Sequence, residues 1–184
     1  MLAKRKIIRA GKPLSLALVG LMGVGKSTIG ARLAASLGLP FVDADKEVEA
    51  AAGMAITEIF DRFGEAHFRD GERRVIERLV GEGPIVLATG GGAFMNERTR
   101  ALLLEETIAI WLDAEIDTLA ERVGRRDHRP LLHGKDPVAV LSDLAAERNP
   151  VYAEAHLRVE SGEGPATDTA DLIIARLEEE GFLC

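Results

Sequence analysis

Gly20-Leu21-Met22-Gly23-Val24-Gly25-Lys26-Ser27 is the stretch on which the reading of this chain turns. It fits the glycine-x4-glycine-lysine-serine pattern without a departure, and its flanks are those the pattern needs. The apolar run Leu16-Ala17-Leu18-Val19 precedes it as a strand, and Lys26 to Leu37 follows with helical periodicity. Glycines there let successive backbone N–H groups converge on phosphate oxygens, and the helix N-terminus adds positive potential. Lys26 would reach the β- and γ-phosphates, and the Ser27 hydroxyl would ligate Mg²⁺. With glycine near ~7% of residues, a chance match arises in roughly one chain of this length in a hundred, and the strand–turn–helix context lowers that further. MgATP at this turn is the first expectation.

Outward from the turn, short apolar runs alternate with longer helical patterns, the signature of an α/β protein with a mainly parallel sheet. The predicted strands are Leu16–Val19, Pro40–Asp43, Ile85–Ala88, Ile108–Leu112 and Leu157–Glu160. The predicted helices are Lys26–Leu37, Glu65–Val80, Ile116–Val123, Val138–Arg148 and Thr169–Glu180. Gly124 to Pro137 has no periodicity and is rich in charge and glycine, so a loop is expected there.

Length and composition bound the rest. A chain of 184 residues suits one domain with a sizeable core, and 47% hydrophobic with 29% charged residues is ordinary for a folded protein. The net charge of −7 argues against nucleic acid or an anionic membrane as partner, because both reward clustered cations. One cysteine, Cys184, permits no disulfide within the chain and fits a reducing, cytoplasmic setting; a monomer is the expectation. The basic N-terminus (Lys4, Arg5, Lys6, Arg9) before an apolar run imitates a secretory signal. Pro13 and the glycines of the phosphate turn interrupt that run, and no apolar stretch approaches the ~20 residues of a membrane span. Residues 1–13 therefore read as a basic, solvated extension of a domain covering 14–184.

Further candidates follow the second and third strands. In extended backbone, Asp43 and Asp45 of Phe41-Val42-Asp43-Ala44-Asp45 project to one face, which at a parallel strand's carboxyl end opens on the ligand crevice. One carboxylate could hold the Mg²⁺ water shell and the other grip acceptor hydroxyls; Asp45 is equally well placed to cap the next helix. Thr89-Gly90-Gly91-Gly92 is either a flexible loop or a place where a ligand presses on the backbone. Arg69 stands near a helix start, where a cation gains nothing from the dipole and a bound carboxylate would justify it. Arg148 ends a predicted helix before Asn149-Pro150, where the dipole alone favours a cation.

From about Leu14 to near its C-terminus the chain resembles the shikimate kinases. The resemblance rests on the phosphate turn and on Phe-Val-Asp-Ala-Asp at 41–45, Gly-Glu-Ala-His-Phe-Arg at 64–69 and Ala-Thr-Gly-Gly-Gly at 88–92. Arg-Pro-Leu-Leu at 129–132 and Glu-Arg-Asn-Pro-Val-Tyr at 147–152 complete it. It implies a three-layer P-loop fold: a five-stranded parallel sheet flanked by helices, an acceptor-binding subregion (about 44–80) and a lid (about 124–137). It further implies that Gly23, Val24, Gly25, Lys26, Ser27 and Thr28 bind ATP, that Ser27 ligates Mg²⁺ directly, and that Asp43 does so through water. By the same resemblance Asp45, Arg69, Gly90, Gly91, Gly92 and Arg148 bind shikimate. Arg129 reaches the phosphates from the lid, and Arg122 with Pro165 flanks the adenine. Lys26, Asp45 and Arg129 would be the catalytic set. Gly71 is the expected weak point of the helix carrying Arg69.

Two kinds of rival share the phosphate turn. A gluconate or nucleoside monophosphate kinase would keep it, but a nucleotide acceptor wants a base-sized pocket and only 4% of this chain is aromatic. A nucleotide-binding module without turnover would not need every candidate Lys, Asp and Arg position filled.

Overall fold

The computed structural model describes residues 5–125 and 134–184. Its centre is a parallel sheet of five strands: β3 (Ser15–Val19), β4 (Phe41–Asp43), β5 (Val86–Ala88), β6 (Thr107–Asp113) and β7 (Leu157–Glu160). They lie in the order β4-β5-β3-β6-β7. Leu16, Ala17, Leu18 and Val19 pair with Ile108, Ala109, Ile110 and Trp111 on one side, and Leu16 to Leu18 pair with Val86 to Ala88 on the other. All of β3 is buried, as expected for a central strand covered by helices on both faces. The helices are α1 (Lys26–Leu37), α2 (Ala44–Ala52), α3 (Ile56–Gly81), α4 (Glu97–Glu106), α5 (Ile116–Gly124), α6 (Pro137–Tyr152) and α7 (Ala166–Glu179). A short 3₁₀ turn, Ala93–Met95, joins β5 to α4.

The sheet and the predicted helices are present, their ends within a few residues of expectation except at the start of α3. The differences each have a local cause. Asp45 does not extend the second strand. Asp43 ends it by capping α2, its carboxylate accepting from the N–H groups of Asp45 (3.0 Å) and Lys46 (3.4 Å). Helix α3 starts nine residues earlier than Glu65 and breaks at Gly64 (φ 82°, ψ 172°) rather than at Gly71, which stays helical. Only glycine takes the Gly64 conformation cheaply, whereas a helical glycine costs about 1 kcal/mol and is outweighed by packing on either side. Helix α6 runs through Pro150 to Tyr152, so Arg148 is not its last residue and the dipole does not account for it.

The expectation of a solvated N-terminal extension is corrected for residues 5–13. Ala10 (φ 51°) and Gly11 (φ 78°) form a two-residue turn between β1 (Ile8–Arg9) and β2 (Lys12–Pro13). Ile7 is buried, and the segment zips to the C-terminus: Lys6 N–H donates to Cys184 O (2.9 Å) and Cys184 N–H to Lys6 O (3.0 Å). The basic residues have work to do at helix ends. Arg9 donates to the carbonyls of Leu104 (2.8 Å) and Glu105 as α4 finishes, Lys12 pairs with Glu106, and Arg5 pairs with Glu178 on α7. His156 packs beside Arg9 and accepts from Ala109 N–H through Nδ1 (2.9 Å); burial first, then the Arg9 charge, pushes its pKa down.

Candidate active site

The carboxyl ends of the strands open on one cleft of about 540 Å³, within the range of small-molecule sites. Its middle is the turn between β3 and α1. Gly23 (φ 82°) and Gly25 (φ 97°) hold backbone conformations open to glycine, and α1 has no side-chain cap on its N-terminal amides. Those amides are thereby kept for an anion. Lys26 Nζ donates to the carbonyls of Gly20 (2.7 Å) and Leu21 (3.0 Å), which fixes the ammonium at the turn. Val24, Ser27 and Thr28 also line the cleft.

At one end of the cleft Arg122, from α5, donates to Val24 O (3.3 Å) and Gly162 O (2.6 Å). Ser161 donates to Val24 O (3.1 Å), so side chains from two elements brace the phosphate turn. Pro165 is exposed at the N-cap of α7, between the cleft-lining Gly164 and Ala166. Ser161 went unnoticed in the sequence because nothing in its own segment marks it; the bond exists only once β7 lies beside β6.

At the turn's other side Ser27 Oγ donates to Asp43 Oδ2 (3.0 Å). A hydroxyl and a carboxylate in contact make a hard oxygen pair, which fits Mg²⁺ bound chiefly by phosphates and water. Among the described residues no group of three or more His, Cys, Asp or Glu forms a metal cage, as that mode of binding requires none.

Beyond Asp43 lies the part of the site that explains the glycine run. Gly92 has an ordinary helical backbone (φ −98°), and neither Gly90 nor Gly91 takes a positive φ. Close approach, not backbone freedom, favours glycine at 90 and 92, whereas at 91 a methyl would make ordinary contact. A methyl on Gly90 would stand 2.7 Å from Asp45 Oδ1 and 3.4 Å from Glu72 Oε2. On Gly91 it would stand 3.4 Å from Arg148 Nη1, and on Gly92 2.9 Å from Arg69 Cζ. The glycines thus form a floor against which Asp45, Glu72, Arg148 and Arg69 all lie. This packing supports the ligand-contact reading of the run over the flexible-loop one.

Glu72 is a second candidate-site residue, after Ser161, that the sequence reading missed. It follows Arg69 by three positions on α3, the spacing of a helical ion pair, and that was the available signal. Its Oε1 accepts from Arg69 Nη1 (2.8 Å), its side chain is 1% exposed, and Oε2 has no partner. Burial raises its pKa, Arg69 opposes that, and Asp45 adds to it. The Asp45 pKa is likewise raised, by burial first and then by Asp43, against Lys26 and Arg69. Arg148 Nε is buried without a partner. The site therefore holds charge that protein groups alone leave unsatisfied, which is costly unless a ligand completes it. Arg129 lies outside the described residues, as does 126–133 of the segment read as a lid; Arg125 and Gly124 end α5 at its edge.

Comparison with known proteins agrees with this geometry. The shikimate kinase family model matches residues 22–178. A shikimate kinase of Caulobacter vibrioides is 58% identical over 165 residues, covering 90% of this chain and 82% of that protein. One from Zymomonas mobilis is 56% identical, covering 90% and 94%. The structure of shikimate kinase from Acinetobacter baumannii in complex with shikimate superposes with a TM-score of 0.85 at 38% identity, covering 91% and 94%. The phosphate turn alone would leave a wide choice of kinases, but similarity of this extent does not: the chain belongs to the shikimate kinase family.

Proposed function

We propose that this chain transfers the γ-phosphate of MgATP to the 3-hydroxyl of shikimate, giving shikimate 3-phosphate and ADP for aromatic amino acid biosynthesis. The observation that carries the proposal is the glycine floor: Asp45, Glu72, Arg69 and Arg148 all lie against it, and Asp45, Gly90 and Gly91 line the same cleft as the phosphate turn. Arg69 and Arg148 suit a carboxylate, which guanidinium groups can bind bidentately, and Asp45 suits the hydroxyls of a polyhydroxylated ring.

In this proposal the protein's part in the chemistry is alignment and electrostatic stabilisation, since a loose phosphoryl-transfer transition state spreads charge over its equatorial oxygens. Lys26 and the α1 amides bear on that charge from the phosphate turn, and Arg129 adds a second cation from the segment 124–137, the proposed lid. Ser27, with Asp43 through water, would hold Mg²⁺, which would supply further neutralisation when bound. Asp45 orients the attacking hydroxyl and takes its proton late; its raised pKa makes it a better acceptor than an ordinary aspartate. Arg122 and Pro165 flank the adenine. The unit is a single kinase domain that takes in the packed residues 5–13 as well as 14–184, with an acceptor-binding subregion at 44–80, acting as a cytoplasmic monomer. Among the described residues no helix is long and apolar enough to cross a membrane.

ADP release measured with shikimate, gluconate and nucleoside monophosphates tests the proposal, with Lys26→Ala as control. Release with shikimate alone, abolished in the variant, is expected. Equal rates with gluconate, or tight ATP binding without release for any acceptor, would overturn it.

A further inference from the structure

Tyr152 is a buried residue for which the proposed chemistry has no use. Its side chain is 1% exposed, on the last turn of α6 and one turn after Arg148, so both project from one face of the helix. The ring stacks with Phe94 (centroids 6.3 Å) and with Trp111 (6.1 Å). Phe94 belongs to the 3₁₀ turn that leaves the glycine floor, and Trp111 to β6, the neighbour of the central strand. Two aromatic neighbours therefore hold the ring. Its hydroxyl donates to the carbonyl of Gly91, the middle residue of the floor, at 2.5 Å.

A tyrosine that served only to fill the core would not need that hydroxyl, which costs desolvation to bury; burial indeed raises its pKa. The bond has a geometric effect instead. The peptide joining Gly91 to Gly92 is trans, so its C=O and N–H point in opposite directions. Fastening the carbonyl to Tyr152 fixes the plane of that peptide and turns the Gly92 N–H away from α6. The same peptide lies between the two arginines, with Arg148 Nη1 against Gly91 and the Arg69 guanidinium against Gly92. The peptide is the central one of a turn closed by Ala93 N–H on Gly90 O (3.2 Å), and with glycine at both of its positions that closure alone leaves it free to flip.

We infer that Tyr152 is a positioning residue for acceptor binding: through the Gly91 carbonyl it sets the glycine floor in register with Arg148 on its own helix and with Arg69 on α3. The inference rests on the proposed acceptor reading. It concerns the acceptor and not the nucleotide, because Arg122 and Ser161 brace the phosphate turn independently.

Steady-state kinetics and calorimetric shikimate titration of Tyr152→Phe, with Arg148→Lys and the double variant, test it. The phenylalanine ring keeps the stack on Phe94 and Trp111 and removes only the hydroxyl. Loss of one such buried bond is expected to raise the shikimate KM and Kd about fivefold to twentyfold, with the ATP KM and kcat within about twofold. In the double variant the two effects are expected to be less than multiplicative, since both act on one clamp. Unchanged shikimate KM in Tyr152→Phe, full multiplicativity with Arg148→Lys, or an equal rise in both KM values would overturn the inference while leaving the acceptor reading intact. If Tyr152→Phe is too unstable to assay, Tyr152→His, which keeps a ring and a donor, must restore shikimate affinity relative to Tyr152→Leu, and failure to do so overturns it equally. A wild-type enzyme that released no ADP with shikimate would sink the acceptor reading and this inference with it.

Discussion

Replacing Gly92 by alanine separates the two ends of the cleft. The Gly92 backbone (φ −98°, ψ −5°) accepts alanine without strain, so the only direct effect is the added methyl. That methyl would stand 2.9 Å from Arg69 Cζ and 3.2 Å from Nη1, and closer still to Nη2. Restoring contacts of about 3.5 to 4.0 Å obliges the guanidinium to retreat by roughly 1 Å. Arg69 is already tied to buried Glu72 at 2.8 Å, so it cannot simply swing to a new place and keep both partners. Losing one charge-assisted bond to an acceptor carboxylate costs about 1.5 to 3 kcal/mol, or roughly 10- to 100-fold in the shikimate KM. The colliding atoms are the far end of a flexible side chain, so stability should fall by about 1 kcal/mol, a Tm shift of about 2 to 4 °C at this size. Initial rates with each substrate varied in turn, and a thermal melt, read all three quantities. An unchanged shikimate KM, or an ATP KM that rises in step with it, would refute the reasoning.

Arg69→Lys should weaken shikimate binding about tenfold or more while ATP binding survives, because an ammonium cannot reproduce the guanidinium fork; equal loss of both in calorimetric titrations would count against the clamp. Asp45→Asn should lower kcat by about 10²- to 10⁴-fold yet raise Tm at pH 8. A carboxyl whose folded pKa is raised contributes stability below its unfolded pKa of 3.8 and loses it as pH climbs through the folded value, and the amide carries no such charge. His156 has the opposite sign: its depressed folded pKa means stability held above pH 6.5 and lost as pH falls below it, so melts at pH 7.5 and 5.5 should differ less in His156→Gln than in the parent. Ile7→Ala should cost about 3 kcal/mol of stability, seen as a lower Tm with both KM values unchanged, since Ile7 is buried far from the cleft.

The sheet and phosphate turn were legible in the sequence because their signals are local: an apolar run, a glycine pattern and a helical period lie side by side in the chain. What was not legible depends on partners remote in sequence. Helix α4 escaped notice because it buries little beyond Thr99 and Leu103; its N-cap, Asn96, accepting from Arg98 and Thr99 N–H, was the overlooked signal. The β1–β2 hairpin turns on Ala10-Gly11, not one of the usual turn pairs, and takes its worth from Cys184 and α4, 94 residues and more away. At the site, Asp45, Arg69 and Arg148 could be named from motifs, but only the fold shows which glycine each one touches. Glu72 was within reach of simple helix spacing, whereas the bond from Tyr152 to Gly91 spans 61 residues and leaves no local trace.

The backbone exchange between Lys6 and Cys184 has a practical side. It sits beside the start of β3, where Leu14 N–H donates to Ile7 O (2.9 Å), at the opposite end of that strand from the phosphate turn, so a short peptide could join these two positions into a closed ring. New ends could then be opened at an exposed surface loop, yielding a rearranged chain order with the catalytic end undisturbed. A purification or immobilisation handle fused at either position would face away from incoming substrates.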